Sequence, residues 1–155
     1  MIVSYTHEDG TVEEVSTDNL SAVESAAVES ATDLEWDDVE RALKSQRPGA
    51  MRAVLWVFRK RAQPQLRFSA FDVPAWKRRL KARLEREEIL DLVETLRKDA
   101  STETDAGFDE MLGYMRALAH DPADVDWAVA ETGPKALAPV TVVADLPSEE
   151  SAAAS

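Results

Sequence analysis

Apolar positions near the N-terminus alternate with polar ones. Val3 and Tyr5 are separated by one polar residue, His7-Glu8-Asp9-Gly10 offers an Asp-Gly turn, and Val12 and Val15 lie in the return segment. This pattern predicts a short β-hairpin within residues 1–19. Thr17-Asp18-Asn19 then supplies capping side chains, and Leu20, Val23, Ala27 and Ala31 follow at helical spacing. Thr32-Asp33 punctuates the chain and offers a cap for the next helix. Its apolar positions are Leu34, Val39, Ala42 and Leu43, with Trp36 near its start. After the break at Arg47-Pro48-Gly49, Met51, Val54, Leu55 and Phe58 fall on one helical face. The run Ala53–Phe58 is apolar on every side, so this element is expected to be the most buried. A strand competes here, because Val54, Trp56 and Val57 favour extended backbone. The length of the periodic stretch and the closing Arg59-Lys60-Arg61, suited to the negative end of a helix dipole, favour a helix.

Beyond Pro64 the pattern is less uniform. Val73, Trp76, Leu80 and Leu84 share one helical face, while Ile89, Leu92, Val93 and Leu96 share another, displaced by about half a turn. A helix broken near Glu85-Arg86-Glu87-Glu88 satisfies both faces, and those acids suit a new N-terminus. One unbroken helix over residues 73–98 is the alternative. Residues 100–107 read as a linker. Phe108, Met111, Leu112, Met115 and Leu118 form a short amphipathic helix, and Asp121-Pro122 ends it and starts another carrying Val125, Trp127 and Val129. Val140-Thr141-Val142-Val143 could pair as a strand between Pro139 and Pro147, and the small polar and acidic end reads as a flexible tail. The expected organisation is a hairpin at 1–19, a helical core at 20–98, a linker with C-terminal helices at 99–134, and a tail at 135–155. The expected fold class is mainly α: a small bundle of about four to six helices with a short N-terminal β-hairpin and a flexible acidic C-terminal tail.

Charge changes the picture. The net formal charge is −12 over 155 residues, but it is segregated. Residues 1–40 carry twelve acids and no Lys or Arg, residues 41–98 carry a net +10, and residues 99–155 a net −10. Such blocks attract one another within a chain or between copies over about 8–10 Å; solvated helix faces that happen to cluster are the simpler account. The acidic total disfavours nucleic acid as a partner. The basic stretch Lys77–Leu84 is the best candidate for it, as a helix spanning 77–86, with a solvated back face as the competing reading. No apolar run is long enough for a membrane span, and the first residues lack the pattern of a signal peptide. A soluble intracellular protein is expected.

Catalytic chemistry is hard to find. The chain has no cysteine, and its two histidines, His7 and His120, fit no metal-ligand spacing. Asp121, Asp124 and Asp126 lack the glycine and distal glutamate of a calcium loop. Five dispersed glycines make no phosphate-binding loop. No cofactor, metal or enzymatic activity is expected. The candidate partner-contact residues are Trp36, Val39, Leu43, Leu55, Trp56, Phe58, Trp76 and Trp127. Core burial is the first reading for Trp56 and Trp76, and partner contact is credible for Trp36 and Trp127. Met51, Met111 and Met115 could add adaptable apolar contacts.

Residues 28–43, with the Trp36-Asp37-Asp38-Val39 turn after an acidic helix, resemble a recurrent opening in tail assembly chaperones of long-tailed actinobacterial phages. Met51–Arg61 looks like that family's apolar Trp-Val helix with a basic end. Pro64-Gln65-Leu66-Arg67-Phe68 and Phe71-Asp72-Val73 look like its Pro-x-Leu-x-Phe loop and its closing segment. The likeness spans residues 20–73. Asp33 stands where the family often has Gly, Arg47–Ala50 replaces a shorter turn, and nothing from Trp76 onward matches. The resemblance implies a protein of the host cytoplasm, absent from the mature virion, that holds the tape measure protein soluble while the tail tube protein polymerises around it. It also implies a longer frameshifted form, and the segregated charge leaves a homo-oligomer as a further possibility.

Overall fold

The computed structural model describes residues 1–99 and 105–133. In chain order these form β1 (Ile2–Thr6), β2 (Val12–Ser16), α1 (Ala22–Thr32), α2 (Trp36–Lys44) and α3 (Pro48–Ala62). Then follow α4 (Trp76–Arg79), β3 (Leu80–Arg83), α5 (Arg86–Asp99), α6 (Asp105–Leu118) and α7 (Ala123–Thr132). Short 3₁₀ turns cover Thr17–Asn19 and Phe68–Ala70. The fold is mostly helical around one three-stranded antiparallel sheet. Seven α-helical segments lie among the described residues, above the expected four to six, because the four-residue α4 is set apart by a strand. The expected tail at 135–155, the possible strand at 140–143 and residues 100–104 of the expected linker lie outside the described residues, while linker residues 105–107 are instead the start of α6.

The apolar run at 53–58 is helical. Pro48 opens α3 at its first turn, where its missing N–H costs nothing, and Arg59, Lys60 and Arg61 occupy the last turn. Ala50, Met51, Ala53, Val54, Leu55, Trp56 and Val57 are all buried. A helix this apolar needs cover on more than one side, and α3 packs against α1, α2 and all three strands. Met51, expected to make adaptable surface contacts, is enclosed by this packing.

The helices on one flank are punctuated locally. Ser21 and Glu24 form a reciprocal capping box at the start of α1. Of the predicted Leu20/Val23/Ala27/Ala31 stripe, Leu20, Ala27 and Ala31 pack against the core, joined by the fully buried Val28, while Val23 is 80% exposed. Asp33 does not cap α2. It ends α1 in the left-handed conformation with φ 55°, and Leu34 N–H donates to Glu29 O at 3.3 Å. On α2, Val39 and Leu43 are one turn apart and both fully buried. The helix closes with a Schellman motif: Gln46 has φ 55°, Gln46 N–H donates to Leu43 O, and Arg47 N–H to Ala42 O.

The hairpin forms where predicted, closed by a loop over residues 7–11 in which Gly10 takes φ 86°. It does not stand apart, because β1 is the central strand in the order β2-β1-β3. Val3 faces Val15 on one neighbour and Ala82 on the other. The third strand corrects the reading of residues 73–98 as helix up to a break near 85–88. Leu80, Ala82 and Leu84 are buried while Lys81 and Arg83 between them are partly exposed. Leu80 and Leu84 share a face at either period, since four residues make nearly one helical turn and also two strand repeats. The expected basic helix 77–86 is therefore one short turn, a strand and the start of α5. Glu87 and Glu88 do lie in the first turn of α5.

The outer edge of β3 is covered by two devices. The Gln46 side chain acts as a one-residue strand: its Nε2 donates to Ala82 O at 2.8 Å and its Oε1 accepts from Ala82 N–H at 3.1 Å. Leu84 N–H then donates to Leu118 O at 2.9 Å, and Leu84 O accepts from His120 N–H at 2.8 Å. Unpaired sheet edges invite association, so covering this one keeps the sheet at three strands on that side. The α6–α7 connection is thereby tied to the sheet. α5 and α7 pack through Ile89, Val93, Val125 and Ala128, all fully buried.

Leu55→Ala is expected to cost about 2–5 kcal/mol, because the site is enclosed on all sides; denaturant unfolding with an unchanged m-value measures it. Gln46→Ala is expected to cost about 1–3 kcal/mol by stranding the Ala82 backbone groups. Amide exchange at Ala82 should rise in that variant, and exchange equal to the parent protein would refute the edge-covering role.

Candidate functional site

The residues expected to contact a partner divide into two groups. Val39, Leu43 and Leu55 are fully buried and Trp56 is 8% exposed, so all four belong to the core rather than to a surface. Trp56 Nε1 donates to Leu66 O at 3.0 Å, and its ring packs at 5.3 Å from that of Phe68. Trp36, Phe58, Trp76 and Trp127 are half-buried, each already engaged. Trp36 Nε1 donates to Glu40 Oε1 at 3.0 Å, and its backbone N–H to Glu29 Oε1 at 2.8 Å. The Arg61 guanidinium covers the Phe58 ring at 4.3 Å, and Arg86 covers Trp127 at 4.8 Å. Trp76 lines a shallow recess beside Val73 and Leu80. These eight residues therefore form no single site.

The segregated charges are reconciled within the fold. Arg59, at the end of α3, donates from Nε to Glu13 Oε1 at 3.0 Å and from Nη2 to Glu13 Oε2 at 2.7 Å. Arg61 grips Glu24 in the same two-point manner and also donates to Asn19 O at 2.8 Å. Arg79 lies 3.3 Å from Glu8, and Arg86 Nε donates to Asp124 Oδ1 at 2.7 Å. Acidic groups at 1–40 and in the C-terminal block thus pair with the basic middle inside one chain. Asp124 is committed to Arg86, and Asp121 accepts from Ala123 N–H at 2.9 Å. Among the described residues, no cluster of three or more His, Asp or Glu side chains could hold a metal ion. No described helix is long and apolar enough to cross a membrane.

Two of the surface recesses have several apolar side chains in their linings. The larger, about 840 Å³, lies among α1, α2 and the start of α3, with Leu34, Ala42 and Phe68 in its lining and Arg41, Arg47 and Arg52 around it. Two of those arginines are engaged: Arg41 pairs with Asp38 at 2.7 Å, and Arg52 Nη1 donates to Phe71 O at 2.9 Å. The second, about 340 Å³, lies between α5 and α6 over the edge of β3, with Leu84, Leu92, Met111, Tyr114, Met115 and Leu118 in its lining. The surface methionine expected at position 111 is in this groove and is 43% exposed, while Met115 forms part of its buried wall. The sequence reading overlooked Leu92 and Tyr114 as surface groups. Their signal was an apolar stripe wider than one packing contact needs, since Tyr114 sits three residues after Met111 and beside Met115.

Comparison with family models, with curated proteins and with solved structures finds no match to this chain.

Hydrogen bonds from Arg61 pull the Glu24 carboxyl down to about 2 from an ordinary 4.5, outweighing its desolvation, and the Ser21 backbone N–H adds to the effect. Burial pushes the Glu13 carboxyl up, but the Arg59 hydrogen bonds and charge, with His7 beside them, hold it below its ordinary value. A carboxyl whose pKa is lower in the folded chain binds its proton more readily when unfolded. The stability contributed by Glu24 is therefore present above its ordinary 4.5 and is lost as pH falls toward about 2. Thermal midpoints measured across that window should decline, and Glu24→Gln should decline less steeply. An equal slope in both proteins would show that the Arg61 clamp carries no weight.

Proposed function

We propose that this chain is a tail assembly chaperone of a long-tailed phage. It would bind the tape measure protein and hold it soluble during polymerisation of the tail tube protein, without catalysing any reaction. The observation that carries this reading is that the family-like segments, separate in sequence, pack as one unit. Trp56 of the apolar helix donates to Leu66 of the Pro-x-Leu-x-Phe loop and packs on Phe68 of the same loop. The strongest departure is also consistent with it. Asp33 replaces a family glycine at a position whose φ of 55° is one that glycine adopts without strain. Physical demands point the same way. A long apolar helix aggregates unless its stripes are covered, each Å² being worth about 25 cal/mol. A body with a net charge of −12 keeps a coated assembly apart from others.

The rival reading, a nucleic-acid-associated regulator, loses its main element, because residues 77–86 are not one helix and Arg79 and Arg86 are paired with Glu8 and Asp124. A further small tail or connector protein is separated by experiment. Co-expression should raise the soluble fraction of the cognate tape measure protein, the two should co-purify, and mass spectrometry of purified particles should lack this chain. Unchanged solubility, or retention in mature particles at stoichiometric amounts, would reject the chaperone reading.

A further inference from the structure

Among the described residues, the sheet has one closed edge and one open edge. In an antiparallel ladder every second residue of an edge strand turns its N–H and C=O outward. Thr17 N–H donates to Met1 O, and His7 N–H to Thr11 O. With the register between β1 and β2, this turns Thr11, Glu13, Val15 and Thr17 toward β1, and Val12, Glu14 and Ser16 away from it. On the far side of the sheet, Gln46, Leu118 and His120 meet the outward groups of Ala82 and Leu84. On β2, no hydrogen bond within the described residues reaches the outward N–H and C=O groups of Val12, Glu14 and Ser16. Val12 is also 52% exposed. Such an edge is a template for one more strand.

Charge and chain length say which strand fits. A second copy, paired antiparallel about a two-fold axis with Val12, Glu14 and Ser16 all engaged, sets Glu14 opposite Glu14. Like charges directly opposite each other destabilise a ladder. Residues 134–155 contain the run Val140-Thr141-Val142-Val143, every member β-branched and suited to extended backbone. The run matches β3 in length, and residues 136–144 around it carry no charge to oppose Glu13 or Glu14. Pro139 and Pro147 stand outside it, where a missing N–H is tolerated.

Reach agrees. His120, just before α7, lies 3.6 Å from Glu14 at the open edge. From there α7, ten residues long, carries the chain away by about 15 Å. The seven steps from Gly133 to Val140 can cover about 23–25 Å, enough to return. α5 and α7 run parallel, with Arg86 bonded to Asp124 at one end and Arg97 to Thr132 at the other. Glu85, just before α5, accepts from Ser16 Oγ at 2.8 Å. A chain returning along α5 meets the Ser16 end of β2 first, and a strand entering there runs antiparallel to β2.

We propose that residues 140–143 occupy the open edge of β2 as a fourth strand, antiparallel to it and within the same chain. Val12 then gains a neighbour, and the new outer edge is short and flanked by prolines, a poor template for further strands. The strand stands or falls apart from the chaperone reading, because it closes the chain's own sheet.

Amide hydrogen exchange on the full chain tests it. Glu14 and Ser16 N–H should exchange at least about tenfold more slowly than unstructured amides, at rates that dilution of the protein leaves unchanged. Thr141→Pro combined with Val142→Pro removes a ladder donor in either register and should speed exchange at both positions by about tenfold. The Val3 amide, which faces β2 inside the sheet, should keep its rate and so report an intact body. Val142→Gly, a milder change, should give a smaller increase at Glu14 and Ser16. Ala152→Pro combined with Ala153→Pro, beyond the run, should give none. Exchange at the unstructured rate in the parent chain overturns the proposal. Protection that survives the Thr141 and Val142 changes does so too, because another group then covers the edge. Protection lost on dilution assigns the edge to a second copy and overturns it equally. So does protection that returns when the isotope-labelled double-proline chain is mixed with unlabelled parent chain, since the strand then comes from another molecule.

Discussion

The enclosure of α3 governs the rest of this structure. A helix with apolar side chains all round its circumference gains stability only when water is removed from every side. Val54, Leu55 and Val57 are excluded from solvent because α1 and α2 and all three strands pack against the helix that carries them. That demand explains why the N-terminal hairpin is not left as two strands. An isolated hairpin is marginal in water. With β3 added beside β1, the sheet offers Val3, Tyr5, Val15, Leu80 and Ala82 as one buried surface. The loop after α3 folds back for the same reason, bringing Leu66 and Phe68 over Trp56 and satisfying its indole N–H.

Electrostatics then orders what packing has gathered. Arg59 and Arg61 sit in the last turn of α3, at the negative end of its dipole. From there they reach β2 through Glu13 and α1 through Glu24, each with two-point geometry. An exposed ion pair adds little energy, but a fork held on a carboxylate has direction. These contacts set how the hairpin and α1 sit on α3 more than they set total stability. Among the described residues, the exposed Leu92, Met111 and Tyr114 side chains converge on a groove whose lining carries the Lys44 side chain and the N-terminal residue.

The division of labour among apolar residues follows. Those with the greatest apparent promise as contacts, Leu55 and Trp56 above all, are consumed by the core. Trp36 and Trp127 keep part of a face outside, yet their rings are held by Glu40 and Arg86. The exposed Leu92, Met111 and Tyr114 lie on the C-terminal helices, outside the segment that resembles the family. Residues 20–73 build the body, so the resemblance and these side chains occupy different parts of the chain.

Local signals determined a good deal by themselves. The hairpin, the helical state of residues 48–62, the acid-led start of α5 and the amphipathic α6 follow from periodicity, caps and charge, which act over a few residues. Three features were decided only by the tertiary structure. Leu80 and Leu84 fit a helix face and a strand face equally, and pairing with β1 chose the strand. The orientation of α1 was set by its packing on α3, which buries Val28 and leaves Val23 in water, although both are valines on one short helix. Whether an apolar side chain serves core or surface was likewise open along the chain: Met51 and Met111 are the same residue type at helical spacing, and one is enclosed while the other opens into a groove. Periodicity records which side chains prefer to avoid water. It carries no record of how much cover the neighbouring elements can supply, because that depends on contacts between residues far apart in sequence.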